Sequence, residues 1–261
     1  MIAPRSTRIR AMPLGALPML RCLGLALLVA AVLAPATAEA GRRPFMWVWD
    51  TETLPERGAE LEMWVTDRVH KTNKDNTSLW WSPILGVTDT VELALPVEIF
   101  HWQKTGLTQV EWFGAEVRWR LDDPDPIEAG KFVPLVRAGV QRLVRDRDSL
   151  QFEADVVLAW DPLERLHLVL NAGGRTDIAM QNYLGVYALG ASWRANETLR
   201  FGAEVFGEYV LATTRKHNSF VMAGPDLGWT HGRTWLTLGW QVGLDEAAPR
   251  GMGRLLWGIA W

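Results

Sequence analysis

Alternation of apolar and polar residues with a period of two dominates the chain from residue 58 onward. The clearest case is TVELALPVEIF (90–100), in which Val91, Leu93 and Leu95 share one face and Glu92 lies opposite. About twelve such segments succeed one another, and no helical period of useful length occurs. Because successive side chains of a strand point to opposite faces, the pattern predicts an all-β chain of about twelve strands, with ten or fourteen also compatible.

The connections between these segments alternate in length. Short turns such as DPLE (161–164) and HGR (231–233) are followed by longer polar connections such as KTNKDNTS (71–78) and ATTRKHNS (212–219). Short turns at one end and longer loops at the other are typical of outer-membrane barrels. The pattern therefore predicts a closed antiparallel up-and-down transmembrane β-barrel with meander topology over residues 58–261.

A secreted soluble barrel or sandwich, with its apolar side inward, would show the same binary pattern. The positions of the tryptophans favour the membrane, because several share the parity of the apolar face and end alternate strands. An indole ring prefers the level of the lipid headgroups, so we expect a periplasmic aromatic girdle. The predicted girdle consists of Trp119, Trp160, Trp193, Trp229 and Trp261.

The face opposite the apolar one mixes charged residues with glycine, alanine and serine, as a hydrated lumen allows. Parity predicts the following lumen-lining residues: Glu60, Glu62, Glu92, Glu98, Glu116, Arg118, Arg120, Arg137, Glu153, Asp155, His167, Arg194, Arg200, Glu204, Glu208, Asp226 and Arg254. Such a set predicts either a polar pore or a salt-bridged network that fills the barrel, since a barrel of about twelve strands is wide enough for both.

The N-terminal region predicts export. Residues 1–40 combine arginines, the apolar run CLGLALLVAAVLAP and small residues before Gly41, which indicates a cleaved secretory signal peptide. The single cysteine, Cys22, would leave with it, so no disulfide scaffold is expected. Residues 41–57 are predicted to be a periplasmic lead-in. This tryptophan-rich segment could pack on the barrel end, plug the periplasmic mouth, lie along the interface or contact another periplasmic component.

The last strand, RLLWGIAW, ends on an aromatic residue. A sheet that spans a bilayer cannot leave an edge unpaired, so this strand is expected to pair with the first. An aromatic terminus after alternating apolar residues resembles the signal read by the barrel assembly machinery of Gram-negative bacteria. The expected location is the cell outer membrane, and the expected partners are the lipid bilayer and that machinery.

Two motifs carry a family resemblance. Leu54, Pro55, Arg57 and Gly58 precede the first strand, and GVTD (86–89) forms a turn before the strand TVELALPVEI. On these motifs the chain resembles the outer-membrane barrels of the MetA-pathway of phenol degradation. The resemblance implies a barrel of about twelve strands and a transport role, and it supplies no catalytic residue.

The expected function is a porin-like channel or transporter for small polar or organic solutes. A structural or adhesive barrel with a filled lumen is the main alternative. A membrane-embedded hydrolase would need a serine activated by a histidine, and no such pair is evident around His167, the histidine that faces the lumen within a strand. We expect no enzymatic activity, metal or cofactor, and the formal net charge of −3 gives no basic stripe for nucleic acid.

Overall fold

The computed structural model describes residues 43–71, 75–123, 129–144, 149–179, 181–213 and 219–261. The expected signal peptide, residues 1–40, lies outside them. Within the described ranges no helix is long and apolar enough to cross a bilayer.

The described residues form an all-β fold. The strands, in chain order, are β1 (Ala59–Val69), β2 (Asn76–Thr88), β3 (Val91–Ala94), β4 (Val97–Trp102), β5 (Leu107–Arg120), β6 (Phe132–Leu143), β7 (Leu150–Leu163), β8 (Leu166–Asp177), β9 (Asn182–Arg194), β10 (Leu199–Ala212), β11 (Phe220–His231), β12 (Thr234–Gly243) and β13 (Gly251–Ala260).

All pairings are antiparallel, and apart from β2–β4 and β3–β5 they join neighbours in the chain. In addition β1 pairs with β13, for example Glu62 opposite Gly258. This pairing closes the sheet. β3 and β4 both pair with β2 and β5, so they are two halves of one strand interrupted at Leu95 and Pro96. Proline has no N–H to give to the ladder. The barrel thus has twelve strands, and the predicted closed meander is confirmed.

The two faces of the sheet have opposite polarity. Glu60 and Glu62 point inward and are at most 1% exposed, whereas Val65 and Leu238, on the outer face, are 41% and 51% exposed. A soluble barrel would reverse this arrangement, because exposed apolar surface is costly in water. An outer face of this kind meets lipid, and closure satisfies the backbone there. The soluble alternative is therefore wrong, and the fold is that of an outer-membrane barrel.

The ends of the barrel differ. One end, the short-turn end, carries the β7–β8, β9–β10 and β11–β12 turns together with the start of β1. The other, the loop end, carries the longer connections such as β10–β11 and β12–β13. Hairpin turns in bacterial barrels face the periplasm, which gives the orientation used below.

Candidate functional site: the barrel lumen

Residues 43–54, which precede β1 and are called the lumen segment below, lie inside the barrel. Phe45, Met46, Val48 and Leu54 are each at most 2% exposed. Their contacts are with inward-facing side chains, not with the outer face. The sequence predicts a periplasmic lead-in over 41–57, preferably packed on the barrel end; the described part from Arg43 instead occupies the lumen. Apolar residues in sequence do not reveal which surface they will cover.

The carboxylate of Glu204 on β10 anchors the tip of the lumen segment. It accepts hydrogen bonds from the backbone N–H groups of Met46, Trp47 and Val48, at 2.9, 2.8 and 3.0 Å. Bonds from N–H groups to an ionised carboxylate are about twice as strong as neutral ones. Asn171 on β8 adds a reciprocal pair with the backbone of Trp49, at 2.6 and 2.9 Å. The tip therefore has its backbone groups satisfied by the wall.

A histidine between two aspartates ties the segment to the short-turn end. His167 Nε2 lies 2.9 Å from Asp50 Oδ2, and its Nδ1 lies 2.5 Å from Asp161 Oδ1 on β7. The Phe45 ring stacks on the same imidazole at 6.0 Å between centroids. Burial alone would raise the pKa of Asp50, but the attraction of His167 outweighs it and holds that pKa below its ordinary value. The contact between the lumen segment and the short-turn end therefore depends on the charges of Asp50 and His167.

Further polar contacts fix the two ends of the segment. Arg43 forms an ion pair with Glu62 at 2.5 Å, and its carbonyl accepts a hydrogen bond from the Thr237 hydroxyl. The Leu54 N–H donates to Glu92 at 2.9 Å. In the middle, Arg254 Nη1 donates to the Met46 carbonyl at 2.8 Å. Wall residues on β1, β3, β12 and β13 therefore hold the segment from several directions.

The two tryptophans of the lumen segment lie against arginines. The guanidinium groups of Arg43, Arg118 and Arg137 lie 3.9, 4.3 and 4.3 Å from the Trp49 ring centroid. That of Arg254 lies 3.2 Å from the ring of Trp47, which also stacks on Phe206 at 4.5 Å. Each desolvated cation–π contact contributes up to about 2 kcal/mol. The rings therefore add to the hydrogen bonds and ion pairs that hold the segment in the lumen.

The wall from β3 to β10 carries a continuous ionic network. Arg118 bonds Glu92 at 2.8 Å and Glu116 at 2.5 Å. Arg137 links Glu116, at 2.5 Å, to Glu153 and Asp155. The network ends on Arg175, whose side chain is 33% exposed and lies 3.7 Å from Glu153 and 3.1 Å from Glu208. Buried charges need this degree of pairing, since an unpaired one would be costly to desolvate.

The opposite wall, from β9 to β13, leaves room for the lumen segment. A Cβ built on Gly190 would lie 2.6 Å from the Phe45 ring, and one on Gly239 would collide with the Met46 side chain. Gly228 and Gly258 are further inward positions without side chains on this wall. Residues of ordinary size here would exclude the segment, so the wall is shaped to receive it.

A cavity of about 450 Å³ lies on the loop-end side of the segment. We call it the vestibule. Its floor is formed by Met46, Trp47, Val48 and Trp49, and its walls carry the rings of Trp64, Trp80, Phe100 and Trp112. The residues with a formal charge that line it are five arginines and five carboxylates: Arg43, Arg68, Arg137, Arg175, Arg254, Glu98, Glu116, Glu153, Asp155 and Glu208. The formal charges of this set cancel.

The predicted lumen set lies largely where parity places it. The following are buried: Glu60, Glu62, Glu92, Glu98, Glu116, Arg118, Arg120, Arg137, Asp155, His167, Glu204, Asp226 and Arg254. Glu153, Glu208 and Arg200 are partly buried, whereas Arg194 is exposed because it is the last residue of β9. Both carboxylate oxygens of Asp226 are buried without a hydrogen-bond partner among the described residues.

The predicted girdle residues differ slightly in exposure. Trp119, Trp193, Trp229 and Trp261 are exposed. Trp160 is only partly exposed, because its ring stacks on Phe132 of the neighbouring strand at 5.2 Å between centroids. Sequence reasoning assigned no role to Trp47, Trp49 or Asp50. Their only signal is the density of bulky residues in FMWVWD ahead of the first strand.

Comparisons with known proteins identify the fold and no family. No family model matches the chain, and no curated protein matches it. Within the described residues no cluster of His, Cys, Asp and Glu could hold a metal ion.

Among solved structures, the chain is similar to an outer membrane channel from Pseudomonas putida F1, with a TM-score of 0.58 and 9% identity over 81% of this chain and 98% of that one. It is also similar to the NanC porin, with a TM-score of 0.54 and 9% identity over 76% and 98%. The KdgM porin gives 0.50 and 10% over 76% and 98%. These likenesses show an outer-membrane β-barrel fold, the class that the polarity of the two faces already defines.

Proposed function

We propose that the protein is an outer-membrane channel of the porin type for small polar or organic solutes, closed by its own lumen segment. The observation that carries the proposal is how the lumen is filled. In the half of the wall that receives the segment, inward positions such as Gly190 and Gly239 have no side chain. Without residues 43–54 that space would be open, because the wall itself does not fill it.

The contacts of the lumen segment are suited to release. They are hydrogen bonds, ion pairs and ring contacts, for example those of Glu204 and Arg254, and none is covalent. In the open state water and ions would take over these polar groups. Both the gated channel and the filled structural barrel have an occupied lumen. A barrel filled for a structural purpose alone, however, has no need of a separate segment held only by non-covalent contacts.

Single-channel recordings in planar bilayers test the proposal. The mature chain should show small or infrequent openings, and a variant lacking residues 43–54 should show a conductance larger by about fivefold or more, since conductance follows lumen width. A deletion variant that folds, as judged by heat-modifiable migration on a gel, and remains silent would support the filled barrel instead.

A reversible lock tests release without deletion. The chain after residue 40 has no cysteine, so W49C/N171C introduces one pair at two positions that are in direct contact in the closed lumen, where the Asn171 amide bonds the Trp49 backbone. Cross-linking the two thiols should abolish openings, and reduction should restore them. Single-cysteine variants W49C and N171C serve as controls. Openings that persist in the fully cross-linked protein would contradict gating by this segment.

The geometry around His167 does not favour a hydrolase. Both ring nitrogens lie within hydrogen-bond distance of carboxylates, those of Asp50 and Asp161. Neither nitrogen is therefore left to take a proton from a serine, as nucleophilic catalysis requires.

The roles of the outer tryptophans and the last strand also belong to the proposal. We propose that Trp119, Trp160, Trp193, Trp229 and Trp261 lie at the periplasmic interface and that β13 with Trp261 is read by the assembly machinery. Replacing Trp261 by alanine should reduce the folded fraction in cells by about threefold or more while refolding in detergent is unchanged, because recognition, unlike packing, needs the machinery. An equal loss in both settings would contradict recognition.

A further inference from the structure

One of the rings that line the vestibule is accessible to a solute. Trp64 and Trp80, on β1 and β2, stack on each other at 3.9 Å between centroids and are only 8% and 5% exposed, so their faces are largely covered. Trp112 on β5 is less buried, and its Nε1 donates to Glu98 at 2.6 Å, which fixes the plane of the indole. A ring held in this way offers a flat apolar surface to a solute in the cavity.

The exposed end of the ionic network lies along the wall from Trp112. In the strand order β8 is half a circle away from β1 but only three strands, a quarter circle, away from β5, so Arg175 and Trp112 line adjoining parts of the vestibule. Arg175 bonds Glu208 at 3.1 Å and keeps a third of its side chain exposed. A guanidinium next to a carboxylate presents donors and acceptors side by side.

These features select against three kinds of solute. Because the formal charges of the five arginines and five carboxylates cancel, neither an anion nor a cation gains a net electrostatic attraction that would offset the loss of its own hydration. A purely apolar solute would strip water from Arg175 and Glu208 and give nothing in return, which is costly. Hydroxyl groups both donate and accept, and vicinal pairs of them match a guanidinium or a carboxylate.

We propose that the vestibule binds small uncharged saccharides, whose ring faces stack on Trp112 and whose hydroxyls bond Arg175 and Glu208. The volume of about 450 Å³ falls in the range of small-molecule sites. The proposal names the solute class of the channel and so rests on the proposed function.

Isothermal titration of the refolded mature chain in detergent, with the lumen segment in place, tests the site. Maltose should bind saturably, with a dissociation constant of about 10 mM or tighter, and glucuronate, glucosamine and indole should each bind at least about tenfold more weakly. Absence of saturable maltose binding, or tighter binding of any of the other three, would overturn the proposal.

A matched pair of variants on β5 assigns the binding to the vestibule. Trp112→Ala should weaken maltose binding by at least about tenfold, whereas Phe113→Ala, the outward-facing neighbour that is 49% exposed, should change it by less than about twofold. If Trp112→Ala impairs folding, Glu208→Gln takes its place as the test, because it keeps the side-chain volume. It should also weaken maltose binding by about tenfold. Equal effects of Trp112→Ala and Phe113→Ala would place the sugar elsewhere and contradict the site.

Binding and conduction fail independently in these experiments. Titration uses the closed protein, so maltose binding to a barrel that never conducts would retain the saccharide site and reject the channel. Conduction without saccharide binding would retain the channel and reject the saccharide site.

Discussion

The two sides of the barrel wall fill the same lumen by different means. From β3 to β8 the wall uses its own charged side chains, linked from Glu92 through Arg137 to Arg175. From β9 to β13 it presents small residues such as Gly190 and Gly239 and lets the lumen segment supply the bulk. The first side is a fixed part of the sheet, whereas the second is completed by a segment that can leave. Stability and closure should therefore respond to different substitutions.

The largest effect is expected on the charged side. Arg137→Met leaves Glu116, Glu153 and Asp155 without their central partner, and breaking a buried ion pair from one side costs about 3–5 kcal/mol. The loss should appear as a lower urea midpoint of unfolding in detergent. Arg250→Met, at an exposed position in a loop, is the control. Equal midpoints for the two variants would show that the network adds no stability.

On the other side, the anchor of the lumen segment should govern closure more than unfolding. Glu204→Ala removes the acceptor of three backbone N–H groups, each bond to a charged group contributing about 1.5–3 kcal/mol. Open probability in single-channel recordings should rise by about tenfold or more, with a smaller change in the urea midpoint than Arg137→Met causes. Glu197→Ala, in an exposed turn, should leave both quantities unchanged. An unaltered open probability would mean that Glu204 does not hold the gate.

A steric clash at the wall from β9 to β13 should also favour release of the lumen segment, with a smaller effect than Glu204→Ala. Gly190→Ala places a methyl group against the Phe45 ring, and overpacking of this kind costs about 1–3 kcal/mol. Limited proteolysis within residues 43–54 should become faster. The double variant Phe45→Ala with Gly190→Ala removes the clash and should be cut more slowly than the sum of the two single effects predicts. Strict additivity would argue that the two positions do not touch.

Acid should produce the smallest effect. The pKa of Asp50 in the folded protein lies below its ordinary value of 3.8, because of His167. Its contribution to docking is therefore complete above that ordinary value and is lost as the pH falls through the folded value. Open probability should rise by about threefold when the pH is lowered from 5 to 3 in bilayer recordings. Asp50→Asn should open more often at pH 5 and respond less; an unchanged response would exclude Asp50 as the titrating group.

The alternation of residues was enough to predict the wall. Period two is a local property, so segments such as TVELALPVEIF identify both the strand and its inward face, and Glu92 and Glu98 are buried as parity requires. The interruption between β3 and β4 at Pro96 was not predicted, because TVELALPVEIF has the alternation of one continuous strand. Arg194 departs from the pattern because parity gives a direction and not the point at which the wall ends.

The lumen segment was beyond the same reasoning. Its partners are remote in the chain, as with the 158 residues between Met46 and Glu204, and no periodicity relates the two. The excess of bulky residues in FMWVWD indicates a buried surface without saying which one. The glycines that accept it, such as Gly190, read in sequence as ordinary small lumen residues. Closure of the barrel is what brings the lumen segment and these glycines together.

The seam between β1 and β13 sets a condition on biogenesis. The lumen segment is made before any strand, and the two strands that complete the circle, β1 and β13, are the first and the last of the barrel in chain order. Either the segment already lies inside when β1 pairs with β13, or it must enter a closed barrel whose lumen is lined by charged side chains. The first route avoids that entry step. Nascent barrels of this kind should therefore enclose the lumen segment as the sheet closes, and they should leave the assembly site with the lumen already closed.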